Sequence, residues 1–269
     1  MTLNLACQEH EVPGDTLEAK WELLAEVGFH GIELHGHDQA FADRLPELQR
    51  AVAAGVPLPS VCLISEQFIG DFDAEVRAEA VANMKTLLSV IAQVGGRGAI
   101  TPAAFGRFSA ALPPFTPPVA IEDSRKWLAE CLAELGEHAG REGVKVFLEP
   151  LNRYEDHLLN TLSQAVELIE EVGSPHIQVM ADLFHMNIDE DSMAGALRDA
   201  APHLGHVHLA DSNRAHPGTG HTDFAPIVAA LEEIGFDGFL AMECGIRGDR
   251  RAGLAQVAGV INGTRAAAA

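Results

Sequence analysis

Several short apolar segments of this chain end in side chains that bind cations or move protons. Glu149 closes VKVFLEP, Asp182 closes IQVMAD, His208 stands in LGHVHLA, Glu243 in GFLAMEC, and Glu33 and His35 in HGIELH. The segments have the length and β-branched content of buried strands. Because strand side chains alternate between two faces, Phe147 goes with Glu149, Met180 with Asp182, His206 with His208 and Ala241 with Glu243, while Leu148, Ala181, Val207 and Met242 face the other way. Three carboxylates converging from neighbouring strands repel one another and take up protons unless a cation neutralises them. With one imidazole added, Glu149, Asp182, His208 and Glu243 form an oxygen-rich donor set for one divalent metal. Such a set suits Mn²⁺, Co²⁺ or Mg²⁺ and is compatible with Zn²⁺.

Positioning such a set takes a closed frame. Eight segments read as strands, at 4–9, 30–35, 58–65, 96–101, 144–150, 177–182, 204–210 and 238–244. Helical stretches lie between them. Asp15-Thr16 opens one that ends at Gly28, another spans 75–95 with apolar residues at helical spacing, Asp123-Ser124 opens a third, and Thr161 opens one that stops at Gly173. Eightfold alternation with no linker-like shift in composition predicts a single α/β domain over 1–265, a (β/α)8 TIM barrel, with 266–269 as a frayed tail. In that fold the carboxyl ends of the strands carry the active site.

Composition narrows the partners. A formal charge of -21 over 269 residues repels phosphate backbones, so nucleic acid is not expected. No apolar run approaches the roughly 18 residues of a membrane span, and no secretion signal is visible, so a cytoplasmic protein is expected. Cys7, Cys62, Cys131 and Cys244 form no close pair and read as reduced core thiols.

The motifs LEPLNRYE (148–155), ADLFHMNIDE (181–190), HVHLADSNR (206–214) and AMEC (241–244) resemble those of the xylose-isomerase-like sugar isomerases and epimerases, specifically the ketose 3-epimerases acting on D-tagatose, D-psicose or L-ribulose. The resemblance covers roughly the C-terminal half. It implies that Glu149, Asp182, His208 and Glu243 hold the metal and that the two glutamates are also the acid/base pair. His185 and Arg214 match positions that hold substrate oxygens, and Glu155 one that hydrogen-bonds the substrate or a metal-binding glutamate. His206, one layer deeper than His208, reads as a hydrogen-bonded core histidine. The implied reaction is 3-epimerisation of a free ketose through a cis-enediolate, and relatives of this kind are commonly dimers or tetramers. Aldose-ketose or hydroxypyruvate isomerisation and inosose-type dehydration use the same metal and proton abstraction. An endonuclease acting at abasic DNA shares the fold but calls for more histidine ligands and a basic groove, and a barrel that has lost activity would lack one of the four ligands.

The N-terminal half departs from that family. Strand 1 reads NLACQEH where those epimerases carry aromatic residues near the substrate, so Phe68, Phe105, Phe108 and Phe115 become candidates for the outer sugar wall. His10, Glu33 and His35 are equally candidates for substrate contact or for satisfying neighbouring polar groups. The Pro-rich stretch 102–121 has the length of a lid or substrate wall. In HPGTGHTDF (216–224), a plain turn with Thr222 or Asp223 capping the next helix is favoured over a ligand loop.

Overall fold

In the computed structural model, eight parallel strands close into one barrel in chain order: β1 (Asn4–Gln8), β2 (Gly31–Gly36), β3 (Ser60–Leu63), β4 (Gly98–Pro102), β5 (Lys145–Glu149), β6 (Ile177–Asp182), β7 (Leu204–Leu209) and β8 (Phe239–Met242). The backbone is described for residues 3–268 and side chains through 264, so the tail expected at 266–269 lies outside the fully described residues. Helices α1 (Leu17–Glu26), α2 (Asp38–Asp43), α3 (Leu45–Ala53), α4 (Ala74–Gln93), α5 (Ile121–Glu142), α6 (Leu162–Val172), α7 (Leu183–Asp189), α8 (Met193–Asp199), α9 (Phe224–Glu233) and α10 (Arg250–Ala268) surround it. This is the expected (β/α)8 barrel, with two helices rather than one after β2 and after β6. No helix among the described residues is long and apolar enough to cross a membrane.

The helix signals mostly act as their chemistry dictates. The Thr16 side chain accepts from Ala19 N, Thr161 and Gln164 form a reciprocal capping box, and Asp223 rather than Thr222 caps α9. Helix α5 differs: it starts at Ile121 with no side-chain cap, and Asp123 lies inside its first turn, where its charge still favours the helix N-terminus. The 216–224 segment is a turn built on Asp211, whose carboxylate accepts from the backbone of Ser212, Gly218, Thr219 and Thr222.

One core lies between strands and helices, and a second, smaller one inside the barrel. Cys62, Ile100, Phe147 and Met180 fill that interior, which is the inward face that alternation assigns to Phe147 and Met180. The register between β6 and β7 slips at one place: Val179 pairs with Leu204, but Met180 pairs with His206. The skipped residue is Gly205, where a Cβ would come within 2.6 Å of the Phe147 ring and 2.5 Å of Gln178 Oε1. This bulge at a close approach brings His208 into register with Asp182.

The segment between β4 and α5 packs over the chain that follows β5. Phe108 meets Phe72 and His157 edge-on, at 6.4 and 5.2 Å between ring centroids. Below them Asp156 is fully buried. Its Oδ1 accepts from His157 N and Leu158 N, while Oδ2 has no partner among the described residues. Burial pushes this carboxyl from 3.8 up to about 7, against the pull of the backbone N–H groups. The native state then keeps a proton that the unfolded chain has lost, so stability falls as pH rises from about 4 through about 7. Asp156→Asn removes that dependence. Urea denaturation should show the variant gaining about 2.5 kcal/mol on the wild type between pH 5 and pH 8, and an equal difference at both pH values would contradict the assignment.

Candidate active site

The barrel brings Glu149, Asp182, His208 and Glu243 together at its carboxyl end, with ligand atoms from all four within 4.8 Å of one another. Glu149 and Asp182 are the last residues of β5 and β6, and His208 lies in β7. Glu243 follows β8, its backbone N–H donating to Leu209 O. Asp182 serves two structures: Oδ1 caps α7 by accepting from Phe184 N and His185 N, and Oδ2 lies 3.9 Å from His208 Nδ1. The same His208 nitrogen is 2.8 Å from Glu243 Oε2.

Their electrostatics separate the two glutamates. Burial, reinforced by the charge of Glu243, pushes the Glu149 carboxyl well above its ordinary range, and burial also raises Asp182. Burial opposes ionisation of Glu243 too, but His208 and a hydrogen bond from Gln8 outweigh it and hold the carboxyl at about 2. Two buried carboxyls driven toward protonation beside an ionised third are an incomplete charge balance, and this donor set fits a divalent cation.

A cavity of about 280 Å³ opens over these residues. Glu149, Glu243, His185, Arg214 and Ser65 supply its polar lining, and Cys62, Leu63, Ile64, Phe68, Pro102, Phe105 and Leu151 the apolar part of its wall. His185 Nδ1 accepts from the backbone N and side-chain Nδ2 of Asn152, which leaves Nε2 3.9 Å from Glu149. Arg214 donates to Glu155 Oε1 at 3.0 Å and lies over the Phe184 ring, with its backbone in the left-handed region at φ 54°. For a non-glycine residue that conformation costs about 1 kcal/mol or more and is typical of functional loops. The cavity thus gathers His185 and Arg214, with Glu155 held behind Arg214.

Other residues fall elsewhere. His10 and His35 pack against each other with tilted rings, centroids 4.3 Å apart, and are not among the residues lining the cavity. Glu33 is fully buried beneath it and faces side chains of the protein. His206 sits beside it, with Nε2 2.9 Å from Glu33 Oε2 and its ring stacked on Phe147. Of the phenylalanines, Phe68 and Phe105 line the wall, whereas Phe108 packs on His157 and Phe115 is 63% exposed. The four cysteines are free, but Cys62 is more than a core thiol because its Sγ is 3.7 Å from Glu243 Oε1. Sequence reasoning singles out neither Gln8 nor Asn152, neutral amides that orient Glu243 and His185; Gln8 is the last residue of β1, and Asn152 lies in the loop after β5, inside the LEPLNRYE motif.

Residues 21–263 match the family described as the xylose isomerase-like TIM barrel. The chain belongs to this family. Within it, this xylose isomerase-like barrel is similar to the 3-dehydro-D-guloside 4-epimerase of Escherichia coli (strain K12), 38% identical over 88% of this chain and 90% of that protein. It is also similar to the L-ribulose 3-epimerase of Mesorhizobium japonicum, 35% identical over 81% of this chain and 72% of that one. Among solved structures, a 3-keto-D-glucoside 4-epimerase from E. coli superposes with a TM-score of 0.90 and 34% identity, covering 98% of this chain and all (100%) of the other.

Proposed function

We propose that this chain is an epimerase that inverts a carbon beside the ketone of a sugar, with Glu149 and Glu243 as its acid/base pair. Glu149, Asp182, His208 and Glu243 hold one divalent cation, Mn²⁺ in this reading. The observation that carries it is geometric: Glu149 and Glu243 line one cavity, and with Asp182 and His208 they bring four ligand atoms within 4.8 Å of one another. A proton beside a ketone leaves at neutral pH only when charge developing on the neighbouring oxygens is stabilised, and a bound cation supplies positive charge there. One of Glu149 and Glu243 removes the proton and the other supplies one to the opposite face; the substrate's configuration decides which is the base, and in the reverse direction they exchange roles. Arg214 and His185 hold substrate oxygens, Glu155 keeps Arg214 extended, and the apolar wall excludes water from the reacting carbon.

The substrate we assign is a 3-keto-glycoside inverted at C4. Two observations support it: the near full-length match to 4-epimerases of such compounds, and a first strand without the aromatics of ketose 3-epimerases. A second reading, 3-epimerisation of a free ketose, is supported by the C-terminal motifs and the L-ribulose 3-epimerase match. One experiment separates them. Mn²⁺-loaded protein is incubated in D₂O with 3-keto-D-glucosides and with free ketoses, and the deuterium is located by NMR. Label at C4 of the glycoside with inversion is the expected result; label at C3 of a ketose favours the second reading, and label at C1 or C2 an aldose-ketose isomerase. No exchange in any sugar sinks the epimerase assignment.

A further inference from the structure

Glu33 is a fully buried carboxylate that is not among the residues lining the active-site cavity, and four side chains converge on it. Strand register sets two of them, since Gln8 pairs with Glu33 across β1 and β2, and Ser60 pairs with it across β2 and β3. Ser60 Oγ donates to Oε2 at 2.7 Å, and Gln8 Nε2 to Oε1 at 3.2 Å. The other two come from β7: His206 Nε2 is 2.9 Å from Oε2, and His208 Nε2 is 2.9 Å from Oε1. Hydrogen bonds thus reach both oxygens, from Ser60 at Oε2 and from Gln8 and His208 at Oε1, which fixes the carboxylate in place.

Two of these partners lead directly into the site. His208 has one ring nitrogen on each side: Nε2 on Glu33, Nδ1 facing Asp182 and Glu243. Gln8 uses one amide group twice, donating to Glu33 Oε1 and, at 2.9 Å, to Glu243 Oε1. We propose that Glu33 is a positioning residue: it keeps the His208 proton on Nε2, so that Nδ1 is free as a ligand atom, and through Gln8 it fixes the Glu243 carboxylate. An imidazole held by a carboxylate in this way has a set orientation and greater basicity toward a cation, an effect usually worth about 10- to 100-fold in metal affinity. Glu33 thus acts without meeting substrate, from the layer below.

This inference rests on the cation site proposed above, and two measurements keep their failures apart. Titration of Mn²⁺ into the wild type and Glu33→Gln, followed by calorimetry, should show binding to the wild type and an affinity about 10- to 100-fold weaker in the variant. Gln8→Leu, which leaves the His208 contact in place, should show a smaller loss. A wild type that binds no Mn²⁺ overturns the cation site and this inference with it. A folded Glu33→Gln with wild-type affinity, whatever its melting temperature, overturns only the role of Glu33. Should Glu33→Gln fail to fold, ¹⁵N-¹H correlation spectra of the Zn²⁺-loaded wild type decide: a His208 proton on Nε2 is expected, and one on Nδ1 overturns the proposal.

Discussion

Glu149→Gln and Glu243→Gln are each expected to lower the epimerisation rate by about 10³-fold or more, since each removes one half of a proton relay and a charge from the cation site. The two variants should fail differently. With an epimer deprotonated by Glu243, Glu149→Gln retains some exchange of the substrate proton with solvent but returns it to the original face, so deuterium enters without inversion. Glu243→Gln should show neither exchange nor inversion from that epimer. The readout is deuterium incorporation and epimer ratio by NMR, with metal content measured on each sample to separate lost acid/base function from lost cation. Either variant epimerising at the wild-type rate rules out the two-carboxylate mechanism.

Removal of the cation should have an effect of comparable size on turnover. Dialysis against EDTA is expected to abolish epimerisation, and Mn²⁺ to restore it. Stability should follow. Glu149 and Asp182 are buried beside Glu243, and burial drives both toward protonation. A ligand at 100 times its dissociation constant stabilises the fold by about 2.7 kcal/mol, which for a chain of this size raises Tm by roughly 5–10 °C. Differential scanning calorimetry with and without Mn²⁺ gives the shift, and Asp182→Asn should erase most of it. Unchanged turnover and Tm after chelation would show that these four residues hold no cation needed for the reaction.

The expected and observed strands agree fully for β6 and differ by at most two residues at the ends of the others, and one of the differences concerns the site. The eighth is expected at 238–244, yet its ladder ends at Met242, leaving Glu243 attached by one further backbone hydrogen bond to Leu209. Pattern reading does not see where a ladder stops, because that depends on the neighbouring strand. The long connection after β4 supplies Phe105 to the cavity but sends Phe108 to His157, a choice made by packing rather than by residue type.

From local chemistry alone, the sequence determined the eightfold strand order, the inward face of Phe147 and Met180, the caps at Thr16, Thr161 and Asp223, and the residue types of the candidate cation set. These are properties of contiguous residues: alternation, capping offsets and apolar spacing act over a few positions. Only the tertiary structure decided that Glu33 lies under the site, that Gln8 ties it to Glu243, and that His10 and His35 pair away from the cavity. It also decided that Gly205 is skipped so that His208 meets Asp182. The physical reason is that each of these depends on register and on how closely backbones approach between strands far apart in the chain.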